Sequence, residues 1–212
     1  MKSRKTMSKK RIGSILTAAG ALFCIAAAGL VGYNFWDNSR AENSVNSVLQ
    51  QISISVSEKG NDTAGADEMQ EADGDPFRDK EMPTVEIDGY LYIGILEIPS
   101  LGLELPVMES WDYPRMKIAP CRYTGSVYRN DMIIAGHNYA SHFGNLQNLQ
   151  SGDEVLFTDM EGNSFSYAVS QTETLDGTAV EEMESGEWDL TLFTCTISGK
   201  ARVTVRCKET GK

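Results

Sequence analysis

The apolar and polar positions divide the chain into three unlike stretches. From Ile12 to Trp36 there are 25 residues without a charge, rich in Ala, Leu, Ile and Gly. About 20 apolar residues span the hydrocarbon core of a bilayer, so this run predicts a transmembrane helix. Residues 37–85 turn to Asn, Ser, Asp, Glu and Gly, with 11 acids and four bases. Such a stretch buries too little apolar surface to offset its ordering entropy and predicts a flexible linker. Within it, Val45 to Val56 (VNSVLQQISISV) has the pattern of a transient amphipathic helix or strand, with nothing flanking it to pack against. As a coil, the linker spans roughly 40 Å root-mean-square.

Residues 86–212 are β-branched and aromatic runs broken by Gly, Pro, Asn and Asp. They predict strands at Tyr90–Ile98, Leu103–Met108, Met132–Ala135, Glu154–Thr158, Ser164–Gln171, Leu190–Cys195 and Ala201–Cys207. Short helical turns are expected near Trp111–Ile118 and Asn145–Leu149. The fold class is therefore all-β with minor helix, an antiparallel barrel or sandwich.

Charge adds a direction to this picture. The chain has 19 Lys and Arg against 30 Asp and Glu, a net charge of −11. That balance argues against nucleic acid, which requires a basic footprint. Six of the bases lie in residues 1–36, which hold no acid. By the positive-inside rule the basic tail, residues 1–11, stays cytoplasmic and the chain beyond Trp36 is exported. Tyr33, Phe35 and Trp36 stand where an interfacial aromatic belt lies. A cleaved signal peptide cut near Ala26–Ala28 is the rival reading, but the apolar run continues past that site to Phe35.

Few side chains in the exported part suit proton transfer or nucleophilic attack. The histidines are His137, at the end of the run Met132–Gly136, and His142, in a polar loop and expected at the surface. Cys121, Cys195 and Cys207 are an odd set for an oxidising compartment. A Cys121–Cys207 disulfide and two separately buried thiols are both open, and no spacing suits a metal or other cofactor. Cys195 ends one strand, and a turn returns the chain to Arg202 beside it. Period two places Arg202, Thr204 and Arg206 on one face and Val203, Val205 and Cys207 on the other. Arg206, about 13 Å further along, is too far to serve the same thiol, and its plain reading is a solvated edge-strand arginine. A neighbouring imidazole and guanidinium both favour a thiolate, and the guanidinium suits an oxyanion.

Thr191-Leu192-Phe193-Thr194-Cys195 resembles the TLxTC signature of sortases. Arg202-Val203-Thr204-Val205 resembles their catalytic arginine strand, and Ile134-Ala135-Gly136-His137 their histidine motif. Leu96-Glu97-Ile98-Pro99 looks like their first core strand. The resemblance runs over about residues 90–208, in the family's order His, Cys, Arg. It implies a closed eight-stranded β-barrel on a Gram-positive cell surface, acting on proteins that carry an LPXTG-like C-terminal sorting signal. Cys195 would attack the Thr–Gly carbonyl and form a thioacyl enzyme. His137 would pass the proton between departing and incoming amines, and Arg202 would hold the carbonyl oxygen. Thr194 is the motif's substrate-side residue. The acceptor amine would come from a peptidoglycan precursor or a pilin lysine.

Asp75-Pro76-Phe77 resembles the lid of pilus-building sortases, Asp75 facing Arg202 and Phe77 covering Cys195; an inert triplet in an acidic linker is the plainer reading. The sortase class stays open. An L,D-transpeptidase would need Gly, not Thr194, before the cysteine, and a papain-like peptidase would place the cysteine before the histidine. An exported adhesion module with structural cysteines is the alternative without catalysis.

Overall fold

The computed structural model describes residues 9–60 and 80–210. A single long helix, α1 (Lys9–Gly60), precedes a β-domain. The chain divides after Arg40 into two compact units. In the first, Leu16, Leu22, Phe23, Leu30 and Phe35 are all exposed. This is the one helix among the described residues long and apolar enough to cross a membrane.

The second unit departs from expectation at its start. Residues 41–60 are the final turns of α1 rather than a flexible coil. Ala41, Val45, Val48 and Ile52 recur at helical spacing on one face, and all four are buried. Val45 joins the barrel's main core, while Val48 and Ile52 join a second apolar cluster with Ile87, Tyr92 and Met108. Gln51 donates a hydrogen bond to Asp88. A flanking partner for the VNSVLQQISISV segment does exist; it is supplied by strands far along the chain.

The β-domain contains β1 (Val85–Ile87), β2 (Tyr90–Ile98), β3 (Leu103–Met108), β4 (Cys121–Thr124), β5 (Met132–Gly136), β6 (Glu154–Asp159), β7 (Ser164–Asp176), β8 (Leu190–Cys195) and β9 (Ala201–Glu209). Hydrogen-bonded order runs β1-β2-β3-β4-β5-β8-β9-β7-β6, and β6 pairs again with β2. Strands β2 to β9 thus close an eight-stranded barrel, with β1 as an added flap on β2. The β1–β2 hairpin turns at Asp88-Gly89, both with positive φ (51° and 80°), the backbone that a two-residue turn of this hand requires. Short helices α2 (Tyr113–Met116) and α3 (Val180–Glu184) lie between strands.

The barrel is not wholly antiparallel. β3–β4 and β5–β8 are parallel pairs. Alternation along each strand sends Leu96, Val107, Ile134, Phe157, Leu192 and Val205 inward to the core. The same alternation turns Ala135 and Phe193 to the outer face of the barrel, where they pack into the second cluster.

Candidate active site

The two strands that carry the thiol and the guanidinium form one hairpin. Across β8–β9, Cys195 pairs with Arg202 and Thr194 with Val203. The Thr196 N–H donates to the Ala201 carbonyl (2.9 Å), which puts Cys195 and Arg202 in a non-hydrogen-bonded position. At such positions the Cα atoms stand about 4.5 Å apart and the side chains are closest. Both residues are half-buried and point to the outer face of the barrel. Nη1 of Arg202 donates to the carbonyls of Gly199 (3.1 Å) and Ala201 (3.2 Å).

The parallel β5–β8 pair supplies the histidine. Gly136 pairs with Thr194, so His137 leaves the end of β5 beside Cys195. Gly136 must be glycine: a Cβ there would lie 2.4 Å from the Phe143 ring. The His137 ring stacks on Tyr139 at 4.0 Å between centroids and 11° between planes. His142 then meets Tyr139 edge-on at 5.4 Å. His142 is fully buried, not at the surface as its polar loop suggested. Burial, with His137 nearby as a lesser cause, pushes its imidazole down to about 4.

Thr194 does not reach the substrate side. It is buried on the face of β8 opposite Cys195, a consequence of period two that applies to any residue adjacent to Cys195 in the strand. Its hydroxyl has no hydrogen-bond partner among the described residues. Arg206 is also corrected: β9 is a central strand between β7 and β8, and Arg206 is 2% exposed rather than solvated. Cys121 and Cys207 are free and buried in separate clusters, so the disulfide is not formed. Burial pushes each of these thiols up to about 12. The Asp75-Pro76-Phe77 triplet lies outside the described residues.

In front of Cys195 runs a groove that is partly open to solvent. One wall is a ladder of aromatic rings, Tyr113 to Trp111 (6.1 Å), Trp111 to Tyr123 (5.5 Å) and Tyr123 to Phe193 (5.5 Å). The other wall is the β7–β8 connection, with Gly177, Ala179, Val180 and Met183. Asp176 sits at the end near Arg202. Its carboxylate is held below the ordinary range by hydrogen bonds from Thr178, with the Arg202 charge a smaller contribution. The mostly apolar walls and single Asp–Arg end suit an extended, largely uncharged peptide. The sequence hid this groove because its aromatics are scattered over a loop (Trp111), the first residue of α2 (Tyr113) and two strands (Tyr123 and Phe193), with no shared periodicity. Trp111 and Tyr113, two residues apart where the chain enters α2, were the available signal.

A family model described as "Sortase: Sortase domain" matches residues 96–210, more than half of the chain. The chain belongs to the sortase family. "Sortase A" of Bacillus anthracis is 28% identical over 195 residues, 89% of this chain and 89% of that protein. "Sortase D" of Bacillus subtilis (strain 168) is 28% identical over 107 residues, 48% of this chain and 53% of that protein. Among solved structures, "Sortase A from Corynebacterium diphtheriae, lid mutant" superposes with a TM-score of 0.50 at 21% identity, covering 57% of this chain and 70% of that one. A Clostridium perfringens Sortase D5 transpeptidase does so with a TM-score of 0.50 at 24% identity, covering 57% and 79%. The structural likenesses bear on the fold, which is the closed sortase barrel. Sortases are cysteine transpeptidases of the cell surface, and the adhesion-module alternative falls with the family assignment. The long N-terminal apolar helix is consistent with a membrane anchor.

Proposed function

We propose that this sortase cleaves an LPXTG-like sorting signal between Thr and Gly and transfers the Thr acyl group to an amine. The pairing of Cys195 with Arg202 on the outer barrel face, at the end of β8 beside His137, carries this reading. The Cys195 thiolate attacks the carbonyl carbon. Among the described residues Arg202 hydrogen-bonds its own turn through Nη1, which leaves Nε–H and Nη2–H to donate to the developing oxyanion. His137, as imidazolium, gives its proton to the leaving amine as the C–N bond breaks, and a thioester remains. An acceptor amine then attacks the thioester and loses a proton to His137. The C–S bond breaks, and the thiolate returns with the peptide bond made. A peptidoglycan-precursor amine and a pilin lysine both fit this second step.

The basic tail and apolar run support an orientation with the N-terminus cytoplasmic and the catalytic domain outside. The test is the full chain in detergent micelles with quenched LPXTG-type peptides, with and without an amine. Wild type forms an amide product that depends on the added amine and accumulates a hydroxylamine-sensitive adduct at Cys195. Cleavage that survives Cys195→Ala would overturn the proposal.

A further inference from the structure

Arg206 contributes more to this fold than a barrel strand needs. Its side chain is 3% exposed, and its Nε donates to the Glu173 carboxylate on β7 at 2.8 Å. Nη1 donates to the Met183 carbonyl (2.7 Å) and to Oγ1 of Thr191 on β8 (3.2 Å). Nη2 donates to the Glu182 carbonyl (2.6 Å). One planar fork therefore ties β7, β8 and β9 to the segment holding α3. The Glu182 and Met183 carbonyls belong to the last turn of α3, which has no intrahelical donors for them; Oγ of Ser185 at the helix end also donates to the Glu182 carbonyl (3.2 Å), within the same segment.

This segment is also a wall of the groove. Val180 and Met183 line it, and Val180 is half exposed toward solvent. The wall's near end is fastened separately, the Gly177 N–H donating to the Lys200 carbonyl (2.9 Å). Met183 lies over Thr204, its sulfur 4.0 Å from the hydroxyl. Between these points, the Arg206 fork hydrogen-bonds α3 to the barrel. A buried cation with one counter-charge is a weak source of stability, whereas its five fixed N–H groups are well suited to positioning.

We propose that Arg206 is a positioning residue for substrate: it fixes the α3 wall against the barrel and so sets affinity for the peptide, without acting on the Cys195 thiol. The inference rests on the reading of the groove as the peptide site. Lysine at 206 keeps the charge but cannot reach two carbonyls, a carboxylate and a hydroxyl at once.

The experiment uses the full chain in detergent, a quenched LPETG peptide and triglycine as acceptor. Arg206→Lys is expected to raise KM for the peptide about fivefold or more while kcat stays within about twofold. Alkylation of Cys195 by iodoacetamide, which needs no groove, should keep its wild-type rate. Hydrogen exchange should quicken at residues 178–186 and stay unchanged in β8. Glu173→Gln, which keeps the arginine and both carbonyl contacts, gives a smaller rise in KM and decides the matter if the lysine variant does not fold. General destabilisation would not separate KM from kcat. An unchanged KM in an active protein, or a fall in kcat and alkylation together, would overturn the role of Arg206. A wild-type chain that never turns the peptide over would instead sink the transpeptidase reading on which it rests.

Discussion

Cys195 and Arg202 face each other directly across the β8–β9 ladder, seven residues apart in sequence and neighbours on the outer face of the barrel. The turn between them holds the guanidinium by two of its own carbonyls, so the donor is oriented before any substrate arrives. Preorganisation of this kind lets a donor stabilise charge that develops only in the transition state.

With Cys195 as the proposed nucleophile, its replacement should remove activity and spare the fold. Cys195 is half-buried at a strand end, so Cys195→Ala leaves little cavity. Transpeptidation is expected to fall below detection, with the melting temperature within about 3 °C of wild type. Retention of more than a small fraction of turnover would show that another group attacks.

Arg202→Lys keeps a positive charge and loses the fork. Removal of one oxyanion donor costs about 10²–10³ in kcat, and a comparable loss is expected here. Steady-state kinetics with a quenched peptide measure it. A lysine variant within tenfold of wild type would mean that the oxyanion is held by other donors.

Thiol reactivity should divide the three cysteines of the β-domain sharply. Cys121 and Cys207 are buried and stay protonated up to about 12, whereas Cys195 borders the groove. Iodoacetamide at pH 8 should label Cys195 in the native protein, and all three only after denaturation without reductant. Mass spectrometry of tryptic peptides reads the pattern, and a linked Cys121–Cys207 peptide would contradict the structure.

Acid should loosen the fold through His142. Its folded value is depressed from 6.5 to about 4, so the unfolded chain takes up a proton first as pH falls. Stability present above about 6.5 is therefore lost progressively down to about 4, by roughly 2–4 kcal/mol. Denaturant unfolding at a series of pH values should show this slope, and His142→Phe should flatten it. A variant with the same slope would assign acid sensitivity to other groups.

The end of α1 should behave as part of the barrel's packing. Ile52 is 2% exposed and shares a cluster with Tyr92 and Met108. Ile52→Ala is expected to cost about 2–4 kcal/mol, the usual range for a buried Ile cut to Ala. Urea unfolding of the β-domain, followed by its tryptophan fluorescence, is the measure; no change would mean that these turns detach without consequence.

Much of this was determined by local pattern. Alternation over Leu190–Cys195 and Ala201–Cys207 already separates core from outer positions, and the turn between them brings thiol and guanidinium together. Uninterrupted apolar length likewise marks the helix long enough to cross a membrane. Tertiary structure decided the rest, because the forces involved act between residues distant in sequence. Only the parallel pairing of β5 with β8 places His137 at the same end as Cys195, and no periodicity announces a strand's partner. Strands β1 and β4, three and four residues long, carry too few positions to show a period. The turns after Ala41 looked soluble because their burial comes from strands elsewhere in the chain. His142 and Arg206 were misplaced for the same reason: a polar side chain enters the interior where partners or packed rings meet it, and those partners exist only once the barrel has closed.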